Sequence, residues 1–332
     1  MPSTLFRLNR MPPRSVREGL VAAPGLALPA GARSRTLTSA DGVLLRSAFW
    51  KPDGAARGTV CLFHGRVEFI EKYGEVIGDL LARGFAVATL DFRGQGGSQR
   101  LLSNPLKGHV RDFAEYRADA EALMRQVVLT DCPSPYFALG HSMSAPVILS
   151  LAARQPQWFE RLVLVGPMIG LPLARAGFIA RGLATGLGGV GFAGAFIPSG
   201  TNRVMPLGAF EGNPVTSDPA RYAVAAAVIT EAPELAIASP TIGWVHAAFR
   251  AMTATASPGA PESLRTPTLI MTAGDDRIVD AVASERFARR VRGGGHLLLR
   301  GARHEIMMER DEIRDLFWAA FDAFVPGRRE LA

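Results

Sequence analysis

Cysteine is scarce in this chain: Cys61 and Cys132 are the only two in 332 residues. Two thiols cannot build a disulfide framework, so the fold has to rest on an apolar core. Cys61 lies inside an apolar run and reads as a buried core thiol, which suits a reducing compartment. Lysine is almost as rare. Lys51, Lys72 and Lys107 are the only three, so the net charge of +7 (37 Lys+Arg against 30 Asp+Glu) is carried by scattered arginines. No basic block interleaved with aromatics occurs, which excludes nucleic acid as the expected partner. A spanning helix needs about 18 or more uninterrupted apolar residues. The segment 176–197 comes closest, and Arg181 and seven glycines break it. Arg7, Arg10, Arg14 and Arg17 near the start are followed by no apolar h-region, so a secretory leader is not expected. The expectation is a cytoplasmic chain whose basic surface suits peripheral contact with anionic lipid.

What is present is an apolar-rich chain, 48% hydrophobic and 20% charged, with enough core-forming residues for a large globular fold. Its organising stretch is Tyr136-Phe137-Ala138-Leu139-Gly140-His141-Ser142-Met143-Ser144-Ala145. An apolar strand runs into a turn of mostly small residues, and Pro146, Val147, Ile148, Leu149, Leu151 and Ala152 then follow helical spacing. Strand, tight turn and helix with a serine at the apex make a nucleophile elbow. The residues two before and two after the serine must be small, and Gly140 and Ser144 are.

Along the chain, 1–33 is an extension rich in Pro, Gly, Ala and Arg. Residues 34–38 and 43–50 flank Ala40-Asp41-Gly42 as a hairpin. From 59 to 168, apolar strands (59–63, 85–90, 136–139, 162–165) alternate with helical patterns (72–82, 110–129, and the segment after Ser142). Continuous apolar strands with helical crossovers predict an α/β fold with a mostly parallel sheet covered on both faces. The alternation stops at 169. An insertion over 169–263 carries a glycine-rich run, 186–191, and helix-like stretches at 221–229 and 242–252. It is too long for a loop and reads as a mostly helical cap. The sheet pattern resumes with strands at 267–272 and 295–299 and helices at 282–291 and 310–324, the last presenting Ile313, Leu316, Phe317, Ala320 and Phe321 on one face. The core is therefore 34–168 together with 264–332.

A serine hydroxyl needs a base within hydrogen-bond reach, and the base needs an anion that fixes its tautomer. The chain supplies Ser142, then carboxylates at a strand end, then a histidine at the next strand end, the order expected of an α/β-hydrolase. Six histidines compete for the base. His304, just past the final strand, is the choice. His141 should point away from the nucleophile by strand alternation, His64 should anchor its own loop, His246 should line a pocket from the cap, and His109 and His296 read as surface or loop residues. For the anion Asp275, Asp276 and Asp280 are open, with Asp276 favoured and one of them expected only to cap the following helix. Oxyanion donors are expected from the amide of Met143, immediately after the nucleophile, and from the amide of Arg66 after the 59–63 strand. The Arg66 side chain then has two readings: an ion pair with Glu68 or Glu71, or a fork for a substrate phosphate. No cofactor and no metal are expected.

Five motifs, His64-Gly65-Arg66-Val67-Glu68, Asp91-Phe92-Arg93-Gly94-Gln95-Gly96-Gly97-Ser98, Gly140-His141-Ser142-Met143, Gly274-Asp275-Asp276-Arg277-Ile278-Val279 and Ala302-Arg303-His304-Glu305, occur in this order. Together they resemble the monoacylglycerol lipase and bacterial lysophospholipase branch of the α/β-hydrolases, and the chain is similar also to the serine-aminopeptidase-like group. The resemblance spans about 36–324 apart from the cap. It implies Asp276 as the acid and hydrolysis of carboxylic esters of monoacyl lipids through an acyl-enzyme. Ser144-Ala145 stands where such relatives usually carry Gly-Gly. An amidase or aminopeptidase of the same fold and a non-catalytic ligand-binding member are the alternatives. Serine at 142 speaks against dehalogenase or epoxide hydrolase chemistry, where an aspartate nucleophile is expected. The substrate is a small lipid or ester, and the sequence fixes no oligomeric state.

Overall fold

The computed structural model describes residues 15–172, 191–198 and 200–326. Eight strands form one sheet in the order β1-β2-β4-β3-β5-β6-β7-β8, with β1 Arg33–Thr38, β2 Leu44–Trp50, β3 Thr59–Phe63, β4 Ala86–Leu90, β5 Tyr136–His141, β6 Arg161–Val165, β7 Thr268–Ala273 and β8 Gly294–Leu299. β2 is antiparallel to both β1 and β4, and every other neighbouring pair is parallel. β3, β4 and β7 are buried at every position, which is why they read as mostly apolar runs. β1, at the edge, buries only Leu37, which faces Leu45 across the hairpin.

Helices cover both faces. Phe113–Leu123, Ser144–Arg154 and Ala281–Arg290 pack on one side through residues such as Tyr116, Ile148 and Phe287. Gly74–Ala82 and Asp311–Phe324 pack on the other through Val76, Ile77, Phe317 and Phe321. The helix expected from 110 starts at Phe113, because Asp112 caps it by accepting from the Ala114 amide at 2.8 Å. On the closing helix Leu316 is 56% exposed, contrary to the face read from the sequence, and Trp318 is buried instead. The buried stripe is Ile313, Phe317 and Phe321, a 4-residue repeat that leaves 316 on the solvent side.

The described part of the N-terminal extension packs on the core. Val21 is buried, its amide donates to Glu71 Oε1 at 3.0 Å, and Trp50 Nε1 donates to the Pro29 carbonyl at 3.1 Å. Beneath it Arg46, fully buried, pairs with Glu71 at 2.7 Å and Asp91 at 2.6 Å. Removing one partner of such a buried set would leave an uncompensated charge, a loss of about 3–5 kcal/mol.

Between β6 and β7 the chain leaves the sheet. Its two longer described helices, Pro219–Glu231 and Ile242–Thr255, begin at side-chain caps, Asp218 and Thr241. Trp244 Nε1 donates to Tyr116 Oη at 3.1 Å, Gly108 pairs with Pro240, and Arg221 reaches Glu75 at 2.7 Å. These contacts seat the inserted chain over the carboxyl ends of the strands. Of the glycine-rich run, 186–190 lies outside the described residues. No helix among the described residues is long and apolar enough to cross a membrane.

Candidate active site

Ser142 sits at the apex between β5 and the helix Ser144–Arg154 with φ of 53°, a left-handed conformation that side chains adopt at a cost. A Cβ at Gly140 would collide with the Ile148 side chain and stand 2.9 Å from Ser144 Oγ, so strand and helix approach closely, as the elbow reading requires. Ser144 is accommodated because its hydroxyl donates to the carbonyls of Phe63 and His141, both at 2.9 Å. The departure from Gly-Gly thus adds a tie between β3 and the elbow.

Three loops converge above it. The Ser142 hydroxyl donates to His304 Nε2 at 2.9 Å, and His304 Nδ1–H donates to Asp276 Oδ2 at 2.8 Å. The other oxygen of Asp276 accepts from the amides of Ile278 (2.7 Å) and Val279 (2.9 Å). Burial raises the cost of charge on Asp276, but the His304 contact and the two amides outweigh it and hold the carboxyl below its ordinary value. Of the three candidate acids, Asp276 is the one that bonds His304 among the described residues. Asp280 caps the helix Ala281–Arg290 through the amides of Val282 and Ala283, and Asp275 is exposed.

Arg66 and Met143 both border the pocket above Ser142, and among the described residues neither amide donates to a backbone acceptor. Val67, between β3 and the next helix, has φ of 67°, an uncommon state for a β-branched residue. Gln95 holds it. The Gln95 side-chain oxygen accepts from the Val67 amide at 2.9 Å, and its nitrogen lies 3.5 Å from Met143 Sδ. One buried amide therefore touches the residue after Arg66 and the side chain of Met143, next to both oxyanion candidates. Sequence reading passed over Gln95 although it stands in one of the five motifs, because nothing in the order of residues says that it reaches 28 positions back.

The remaining histidines divide. His64 anchors its loop as expected, with Nδ1–H donating to the Gly65 carbonyl at 2.6 Å and Nε2 accepting from the Phe92 amide at 3.2 Å. Burial lowers its ionisation despite nearby Asp91. His141 does not point clear of the site. Its ring lies 4.9 Å from that of His304, centroid to centroid, and Nδ1 bonds Glu68 at 3.1 Å. His109 is buried, not at the surface, bonded to Thr241 Oγ1 at 2.8 Å, and His296 lies half-buried on β8. His246 is not brought to the pocket. It sits half-buried on Ile242–Thr255, while Trp244, two residues earlier, faces the cavity. The Arg66 side chain forms no ion pair with Glu68 or Glu71. Glu68 is taken by Lys72 (3.0 Å), Tyr73 (2.7 Å), His141 and the Gly65 amide, and Glu71 by Arg46.

The pocket over Ser142 has a volume of about 210 Å3. Met168, Leu171, Met205, Val215 and Trp244 give it apolar walls, and His304 and Glu305 close one side. Four of those five apolar residues lie within 169–263, so the inserted chain forms much of the wall. A mostly parallel sheet, a strained serine between strand and helix, and a histidine–aspartate pair from the ends of β8 and β7 define an α/β-hydrolase. The chain belongs to the serine aminopeptidase S33 family, whose sequence model matches residues 54–311. It is similar to lysophospholipase L2 of Escherichia coli strain K12, 31% identical over 272 residues that make up 77% of each chain. A monoacylglycerol lipase of Mycolicibacterium smegmatis is 34% identical over 131 residues, 39% of this chain and 44% of that one. Among solved structures, a soluble variant of monoglyceride lipase from Saccharomyces cerevisiae superposes with a TM-score of 0.71 at 21% identity, covering 90% of this chain and 97% of the other.

Proposed function

We propose that this chain is a serine hydrolase that cleaves the carboxylic ester of a monoacyl lipid through an acyl-enzyme. The observation that carries the reading is the unbroken relay Ser142–His304–Asp276 opening into an apolar pocket. Ser142 Oγ attacks the ester carbonyl carbon while His304 Nε2 takes its proton, and Asp276 keeps the proton of Nδ1 in place. The carbonyl oxygen becomes an oxyanion held by the amides of Arg66 and Met143. The tetrahedral adduct collapses as His304 returns its proton to the leaving alcohol. Water, deprotonated by the same nitrogen, then frees the fatty acid and restores Ser142.

The similarity to the lysophospholipase and the monoacylglycerol lipase supports a monoacyl lipid as substrate. In this reading 169–263 is a cap that selects acyl chains, since it supplies Trp244, Met205, Leu171 and Val215 to the wall. Phe192 (55% exposed), Met205 (47%) and Leu207 (52%) on the same insertion, with the net positive charge, suit contact with an anionic lipid surface.

The test assays lysophospholipids, monoacylglycerols and aminoacyl amides side by side, with fluorophosphonate labelling of Ser142. Faster turnover of amides than of both lipid esters would replace the esterase reading by a peptidase one. Absence of labelling together with absence of turnover would leave a binding protein. Cosedimentation with phosphatidylglycerol vesicles tests the membrane contact.

A further inference from the structure

Arg66 combines features that a structural arginine would not need. Its guanidinium lies 5.1 Å from the Trp244 ring, Nη2 donates to the Ala238 carbonyl at 2.5 Å, and Nε is buried with no hydrogen-bond partner. Among the described residues no carboxylate lies within ion-pair reach of it, since the two acids near it in sequence are committed to Lys72 and Arg46. Of the undescribed stretches, 1–14, 173–190 and 199 contain no Asp or Glu, and 327–332 contains Glu330 alone. A buried cation without a counter-ion is expensive, because desolvation is offset only by a partner charge. Burial pushes this guanidinium down to about 10, and it still carries its charge at neutral pH. The surroundings keep space for it. A Cβ at Gly108 would stand 2.5 Å from Nη2. The same residue offers its amide to the oxyanion site and borders the Ser142 pocket.

We propose that the Arg66 guanidinium is the anion receptor of this pocket and takes the phosphate of a lysophospholipid head group. The proposal rests on the monoacyl-ester reading above and narrows it. Bound substrate supplies the missing negative charge. Guanidinium and phosphate pair through parallel, charge-assisted hydrogen bonds, and the unused donors of Arg66 are the ones available. A monoacylglycerol offers only hydroxyl groups there and gains much less.

The experiment compares 1-lauroyl-lysophosphatidylcholine with 1-lauroylglycerol, matched in acyl chain, on wild type, Arg66→Gln and Arg66→Lys. Fluorophosphonate titration counts competent sites in each. Gln keeps a donor for the Ala238 carbonyl and removes the charge, so it separates charge from bracing. The ratio of kcat/KM, lysophospholipid over monoacylglycerol, should fall about tenfold or more in Arg66→Gln and stay much nearer to wild type in Arg66→Lys. Inorganic phosphate added to the 1-lauroylglycerol assay adds a second arm. Inhibition of wild type that Arg66→Gln abolishes would extend the site to free phosphate. Lack of inhibition with a fallen ratio would assign it to the lipid head group alone. An unchanged ratio in Arg66→Gln overturns the proposal, as does a loss shared equally by both substrates. Wild type that hydrolyses neither ester would instead remove the underlying monoacyl-lipid reading. If Arg66→Gln yields no competent sites, the lysine variant decides: a lysophospholipid preference that survives there supports a charge role, and one lost there overturns it.

Discussion

Two histidine–carboxylate pairs lie back to back in this molecule, and only one is placed to do chemistry. His304 bonds Asp276 and His141 bonds Glu68, with the two rings 4.9 Å apart and both residues buried. The difference is what faces the second nitrogen. His304 Nε2 meets the Ser142 hydroxyl, which can donate, so a neutral imidazole is satisfied there and is ready to accept a proton. His141 Nε2 meets the carbonyl of His304 at 3.3 Å, which can only accept. With a carboxylate at Nδ1 and a carbonyl at Nε2, His141 is satisfied only when both nitrogens carry protons. Burial opposes that charge, but Glu68 outweighs it and raises the ionisation of His141. Residue type and carboxylate partner are therefore insufficient to mark a base; the acceptor or donor across the ring decides.

The largest expected effect separates the two pairs outright. Ser142→Ala or His304→Ala should lower ester turnover by about 10³-fold or more with the fold intact, the residue being due to binding and the oxyanion donors. Circular dichroism alongside the assay checks both halves, and wild-type-like turnover in either variant would remove the relay. The acids come next. Asp276→Asn should cost about 10²-fold or more by fixing the wrong tautomer of His304, whereas Asp275→Asn, at an exposed position, should change kcat little. A reversed ranking would move the third member of the relay to Asp275.

A smaller effect tests the bracing of the oxyanion loops. Gln95→Leu keeps the volume and removes the acceptor of the Val67 amide, which φ of 67° leaves strained. A kcat lowered about tenfold with KM little altered is expected, since the donors act mainly on the transition state. A change confined to KM would make Gln95 a pocket residue only.

Much of this site is legible in the sequence for one physical reason. A strand buried on both faces is an apolar run, so a polar residue at its carboxyl end stands out, and Ser142 and Asp276 follow such runs; His304 follows β8, an edge strand of which only Leu299 is buried. The failures have a matching cause. His109 reads as a surface or loop residue; it does lie in a loop, but it is buried there because its partner, Thr241, is 132 positions away. Arg66 looked ready to pair with Glu68 or Glu71 because sequence proximity cannot show that Lys72 and Arg46 already hold them. His246 looked like a pocket residue because a helix pattern gives a face without telling which neighbour it meets, and it was Trp244 that the fold turned inward. The helix Pro219–Glu231 is alanine-rich, with only Ala225, Val228 and Ile229 buried, so its pattern hardly distinguished buried from exposed positions.

The finest distinction between the two pairs is their dependence on pH. The ionisation of His141 is raised above its ordinary 6.5, the penalty of burial being outweighed by the charge and hydrogen bond of Glu68. Glu68 is held well below its ordinary 4.5, where burial is overcome by Lys72, His141 and Tyr73. A raised histidine contributes stability that is complete below its unfolded value and lost as pH climbs through the folded one. A depressed glutamate contributes stability that is complete above its unfolded value and lost as pH falls through the folded one. Both contributions are therefore whole between pH 4.5 and 6.5, and the histidine's share fades on the alkaline side. His141→Asn removes the titrating group and leaves Glu68 to Lys72 and Tyr73. Its stability deficit relative to wild type should be about 1.5–3 kcal/mol in the acidic window, the range for a hydrogen bond to a charged group. Urea titrations at about pH 5.5 and about pH 9 would show that deficit narrowing as His141 loses its proton. A deficit that stays constant, or grows with pH, would mean that His141 is neutral in the folded protein and that packing alone explains its place beside His304.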